Sequence, residues 1–153
     1  MNNLFRKKRI LVVGDIILDR YVFGKSDRIS PEAPVPIITI TKEVLRLGGA
    51  GNVARNVAHL GSETTLLGVV GSDTESEIVK DLAVADEIKS VFFKSQNPTI
   101  VKTRVLAQGQ QLLRLDSEKQ VPPGISADLA TKFCEIVHDY DIVVCSDYGK
   151  GAL

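Results

Sequence analysis

The chain has 153 residues, 44% of them apolar and 25% charged, with no Trp. That is the make-up of one globular domain with a real core, and it excludes collagen-like, mucin-like and wholly disordered chains. Lys plus Arg equals Asp plus Glu at 19 each, so the chain has no net field to hold nucleic acid or an anionic membrane at long range.

The basic start, Met1 to Arg9, is followed by too short an apolar stretch for a signal peptide. No apolar run approaches the ~20 residues of a membrane helix. The chain is expected to be cytoplasmic, with neither nucleic acid nor membrane as partner. Arg9 to Gly14 is a β-branched run ending in Gly, and it predicts a strand buried on both faces, as in a parallel sheet, with Asp15 and Asp19 just beyond it. Tyr21–Gly24 and Pro34–Thr41 are β-rich. The polar Lys25–Ala33 between them, with prolines at 31, 34 and 36, marks an edge ribbon or flap rather than a central strand.

Gly48-Gly-Ala-Gly51 opens a helix with Ala50, Val53, Ala54, Val57 and Leu60 on one face, and Gly61 is its stop signal. Thr64–Val70 predicts a second buried strand. Ser72-Asp-Thr-Glu75 reads as a capping box, with Ser72 as N-cap of a helix that turns Ile78, Val79, Leu82 and Ala83 inward. Val91–Phe93 is a short strand, and Ile100–Leu106 alternates, with Lys102 and Arg104 sharing one face. Ala107-Gln-Gly109 turns the chain into Gln110–Asp116. Ser126 is the expected N-cap of a helix burying Leu129, Phe133, Ile136 and Val137, and Ile142–Ser146 is the last strand. Cys134 and Cys145 have no ligand-like neighbours and are expected to be buried, reduced thiols. His59 and His138 fall in last helical turns, where an imidazole suits the helix dipole. The order is that of an α/β fold with a mainly parallel sheet flanked by helices and a small β lid.

Ligands in such sheets gather at the carboxyl ends of strands. Gly48, Gly49 and Asn52 combine close backbone approach, a helix N-terminus and an amide that both donates and accepts, or else form a turn with Asn as a cap. Asp15 and Asp19 can accept from sugar hydroxyls or hold a metal, or cap a turn. Lys102 and Arg104 form a clamp for phosphate or carboxylate, or a solvated strand face. Asp147 and Lys150 follow the last strand, as site residues or as a polar loop. No metal site is expected.

Together these segments resemble the amino-terminal half of ribokinase-like carbohydrate kinases. Gly48-Gly49-Ala50, Asn52, Ala54, Gly61 and Gly71 stand at the family's spacing, and Gly14-Asp-Ile-Ile-Leu-Asp19 resembles its first strand and turn. Arg28-Ile-Ser-Pro-Glu-Ala-Pro-Val-Pro36, Gln110–Asp116 and Ser146–Gly151 are similar to the heptose 7-phosphate kinases within it. These often share a chain with a nucleotidyltransferase domain and feed ADP-heptose synthesis for lipopolysaccharide. The resemblance implies lid segments at about 20–41 and 99–116. It also implies sugar contacts from Asp19, Gly49 and Asn52, with Asp15, Lys102, Arg104 and Lys150 as further candidates. ATP and Mg2+ are the implied cofactors, and a homodimer paired through the lid is the implied assembly. The family's catalytic Asp, in a Gly-Ala-Gly-Asp motif, and its nucleotide pocket belong to a second half that the chain is expected to lack, leaving it inactive alone. A stand-alone sugar-binding or interaction module, or a kinase for another sugar, are the competing expectations.

Overall fold

The computed structural model describes residues 8–153; the start of the chain, on which the signal-peptide question turns, lies outside the described residues. Strand β1 (Arg9–Ile29) is the axis of the molecule. Its first part pairs in parallel with β3 (Glu63–Gly71) on one side, from Arg9↔Glu63 to Asp15↔Val69. On the other side it pairs with β7 (Ile142–Ser146), from Ile10↔Ile142 to Gly14↔Ser146. Strand β4 (Lys89–Ser95) extends this parallel layer beyond β3.

From Ile16 onward β1 changes neighbours. It pairs antiparallel with β2 (Pro36–Gly49) and in parallel with β5 (Ile100–Ala107), which forms a hairpin with β6 (Gln110–Ser117). This second layer contains the segments expected to form a lid, and is called the lid below. The hairpin turn places both Gln108 and Gly109 at positive φ, the geometry whose twist matches paired strands.

Side chains of β1 alternate without interruption through both layers. Ile10, Val12, Ile16 and Leu18 pack with Leu47, Leu66, Val70 and Val79 under helices α1 (Ala50–His59) and α2 (Thr74–Ala85). Leu11 and Val13 join Leu67, Val69 and Leu129 under α3 (Pro123–Ile136). Burial on both faces is what a parallel sheet flanked by helices requires, and it explains the uninterrupted apolar run at 10–13.

Several local expectations are corrected. Gly14 does not end the first strand. A Cβ there would overlap the Ser146 carbonyl, so the glycine marks close packing of β7, and the strand runs on to Ile29. Asp15 and Asp19 therefore lie within β1 rather than after it. The N-cap of α2 is Asp73, not Ser72: the Asp73 carboxylate accepts from the Ser76 N–H, and also from the Thr99 N–H and hydroxyl. Partial burial pushes against the charged form of Asp73, but these bonds, with Lys94 nearby, override it and hold its carboxyl below the usual range. Helix α3 starts at Pro123, whose missing N–H costs nothing in a first turn, so Ser126 is not its cap; its hydroxyl instead donates to the Gly151 carbonyl.

His59 does end α1, where its ring meets Asp86 at 3.2 Å, but Val137 and His138 lie in a separate 3₁₀ turn after α3. Both cysteines are exposed. Cys145 sits on β7, which has a strand partner on one side only among the described residues, and it lines an apolar groove with Phe133 and Leu153. No described helix is long and apolar enough to cross a membrane.

Candidate functional site

The two layers part where β2 ends and α1 begins. Gly49 is the N-cap of α1 at φ 54° and ψ −132°, a conformation that L side chains avoid, and a Cβ there would overlap the Asp15 carbonyl. Gly48 beside it is needed for space: a Cβ would stand 2.5 Å from Asp19 Oδ2. The bare backbone of Gly48 thus lets the Asp19 carboxylate lie against the start of α1. Asn52, in the first turn of that helix, is exposed.

Register brings the remaining groups to the same face. Asp19 lies opposite Arg46 of β2 and Lys102 of β5, and Tyr21 lies opposite Arg104. The Arg104 guanidinium donates to Asp19 and stands 5.2 Å from the Tyr21 ring centroid. Lys102 donates to Asp116 (3.0 Å) and Glu118 (3.3 Å), and Lys150 to Glu118 (2.8 Å). Arg114 completes the ladder on Asp116 through two nitrogens, at 2.9 and 3.0 Å.

These contacts set the charges. The bond from Lys102 holds the Asp116 carboxyl below its ordinary range against a desolvation cost, and Arg114 adds to the effect. Lys150 does the same for Glu118, followed by Lys102. Desolvation alone would lower the Lys102 ammonium, but its two carboxylate partners override it and the net shift is upward. The bond to Asp19 raises Arg104 above its ordinary value against burial. Every one of these shifted groups is therefore ionised at neutral pH.

Asp15 and Asp147 have different surroundings. Asp15 is 1% exposed and its carboxylate accepts from the backbone N–H groups of Tyr148 (2.7 Å), Lys150 (3.0 Å) and Ala152 (3.1 Å). It is a buried tie that shapes the loop after β7. Asp147 is exposed and accepts from the Gly149 N–H at 2.7 Å, closing a turn in that loop. The structure thus gathers Asp19, Gly48, Gly49, Lys102 and Arg104 around the lid root, joins Lys150 to them through Glu118, and places Asp15 beneath the loop.

A cavity of about 440 Å³ lies at the opposite, amino-terminal ends of the parallel strands, lined by Arg9, Glu63 and Lys89 among others. Chemistry rather than size therefore singles out the lid root. Arg46, Tyr21, Asp116 and Glu118 were not legible as site residues. For Arg46 a signal existed: it stands two residues before Gly48, and alternation along a strand puts both on one face.

The chain belongs to the pfkB family of carbohydrate kinases, whose model it matches over residues 7–146. It is 48% identical over 152 residues to a D-beta-D-heptose 7-phosphate kinase of Bordetella bronchiseptica, covering 96% of this chain and 47% of that protein. It is 46% identical to the bifunctional protein HldE of Hydrogenovibrio crunogenus, covering 97% of this chain and 31% of that protein. The chain thus spans 47% and 31% of the length of these two curated relatives. Among solved structures it superposes on a putative phosphofructokinase from Staphylococcus aureus with a TM-score of 0.75 at 18% identity, covering 95% of this chain and 45% of that one. Phosphofructokinase-2 of Escherichia coli in complex with fructose-6-phosphate gives 0.70 at 23% identity, covering 92% and 45%. These likenesses establish the ribokinase-like fold that the sequence resemblance led one to expect.

Proposed function

We propose that this chain supplies the sugar-binding part of an ATP-dependent kinase that phosphorylates D-glycero-D-manno-heptose 7-phosphate to the 1,7-bisphosphate. In this role it serves cytoplasmic ADP-heptose synthesis for the lipopolysaccharide core. The name of the relative at 48% identity, a D-beta-D-heptose 7-phosphate kinase, supports the substrate. The observation that carries the site is the meeting of Asp19 with the side-chain-free Gly48 at the start of α1.

There a carboxylate accepts from sugar hydroxyls, and the first-turn N–H groups and the Asn52 amide donate to sugar oxygens. Arg104, Lys102 and Lys150 supply cationic surroundings for a phosphorylated sugar. Asp15 acts one step back, by fixing the loop that carries Asp147 and Lys150. Bound ATP with Mg2+ would supply the transferred γ-phosphoryl group. No residue of this chain is assigned to hold Mg2+ or to act as the base.

Calorimetry with heptose 7-phosphate tests the proposal. Asp19→Ala and Asn52→Ala are expected to bind about 10- to 100-fold more weakly than the parent chain, the range for losing a hydrogen bond to a charged or well-placed polar group. Equal heats in all three proteins would remove the assignment.

We further propose a homodimer paired through the lid. In the described residues β2 pairs only with β1 and β6 only with β5, which leaves two exposed edges, and Ile40, Leu113 and Leu115 are exposed on these strands. Sedimentation velocity should show dimer, shifting toward monomer in Leu113→Lys/Leu115→Lys; monomer alone at high protein concentration would contradict it.

A further inference from the structure

Two guanidinium groups converge on one aromatic ring from the strands on either side of it. Arg104 reaches Tyr21 from β5 at 5.2 Å, and Arg46 reaches it from β2 at 5.9 Å. Arg104 is neutralised by Asp19. Lys102 and Lys150 are likewise engaged by Asp116 and Glu118. Arg46 differs: it makes no ion pair among the described residues. It is the cross-strand neighbour of Asp19, and it is exposed while its guanidinium lies over a ring beside the sugar-binding face.

A solvated surface arginine has no need to approach a second guanidinium over the same ring. Of the two, Arg104 has Asp19 as its counter-charge, so Arg46 is the cation at this spot with charge to offer an incoming anion. The ring face holds the Arg46 side chain by cation–π contact, so less rotamer freedom is lost when it binds.

We propose that Arg46 is the residue that selects for the phosphate group of the substrate, docking its planar fork on the phosphate while Asp19 and Asn52 hold the sugar. The inference rests on the sugar-kinase reading above and adds to it where specificity for a phosphorylated sugar arises. Arg104 and Lys102 then act mainly as internal counter-charges to Asp19 and to the Asp116–Glu118 pair, so their removal is not selective for phosphate. A fork that donates two parallel bonds to one oxyanion suits phosphate better than a point charge does.

The test measures binding of heptose 7-phosphate and of the same heptose without phosphate, by calorimetry, to the parent chain, Arg46→Gln, Arg46→Lys and Asp19→Ala. Arg46→Gln is expected to weaken the phosphorylated sugar by about 10- to 100-fold and the plain sugar by less than about threefold, as for loss of a charge-assisted bond confined to one ligand group. Arg46→Lys should fall between parent and Arg46→Gln. Arg46 is exposed, so these variants should keep the parent's circular dichroism and melting temperature. Should Arg46→Gln bind the phosphorylated sugar like the parent, or lose both sugars equally, while Asp19→Ala still loses binding, this inference falls and the sugar site stands. Should Asp19→Ala bind both sugars like the parent, the sugar-site reading falls and this inference with it.

Discussion

Replacing Gly49 by alanine is expected to lower the stability of the chain by about 3 kcal/mol or more, the sum of a strained backbone region and a steric overlap. Gly49 holds φ 54° and ψ −132° as the N-cap of α1, and the added methyl would drive into the Asp15 carbonyl, whose residue is paired with Val69 in the β1–β3 ladder. The two costs are separate. The backbone could relax toward a conformation that alanine accepts, but only by swinging the start of α1 off the lid, and the clash could be relieved only by moving β1. In a chain of this length the loss corresponds to a fall in melting temperature of roughly 10 °C. Gly124→Ala is the control. That glycine has ordinary φ, nothing within 4 Å of an added Cβ and a place in the first turn of α3, so the change should be neutral or slightly stabilising. Thermal melts of the two variants check both expectations; Gly49→Ala melting within about 2 °C of the parent would contradict the first.

The second large effect is expected from Asp15→Ala. Its carboxylate accepts three backbone N–H bonds from the loop of residues 148–152, and all three donors lose their partner at once. An orphaned buried donor costs about 1–3 kcal/mol, so the site must either carry the penalty or let the loop go. Release is the cheaper outcome. Amide hydrogen exchange should therefore show protection lost at Tyr148, Lys150 and Ala152 beyond any global change, while the ladder amides of β1 and β3 follow global stability. Unchanged exchange at those three amides would show that the loop is held by other means. Lys150 would also lose its placement against Glu118, linking the loop to the lid ladder.

Much of the architecture could be read from pattern. The run Ile10–Val13, the helical spacing after Gly51, the hairpin at Gln108-Gly109 and the edge placement of the proline-bearing segment each follow from local chemistry, and the structure agrees with them. What failed did so where tertiary packing overrides a local signal. Gly14 has the look of a strand terminus, yet its role is to admit the neighbouring β7 backbone. Ser72 and Ser126 are good caps in isolation, but Asp73 gains Thr99 as a second partner, and Pro123 is already suited to a first turn. Cys145 has the composition of a core strand, but it is exposed, on a strand with one partner among the described residues.

The candidate site divides in the same way. Asp19, Gly48 and Asn52 are legible because the residue types and the glycine break advertise them. Arg46 and the Lys102–Asp116–Glu118–Lys150 ladder depend on cross-strand register, which joins positions far apart in the chain.

That one unbroken strand belongs to both layers has a mechanical result. Along β1 no stretch of irregular chain stands between the α/β body and the lid; the irregular links are elsewhere, at 96–99 before β5 and 118–122 after β6. From Arg9 to Phe23 the pairing is regular, and the first irregularities of register come at Phe23/Gly24 and Lys25/Arg28. Compliance therefore belongs to the tip, where bulged pairing lets a ribbon bend. The root bearing Asp19 and Tyr21 stays as stiff as the body it grows from, so bending of the outer ribbon leaves those two side chains in place.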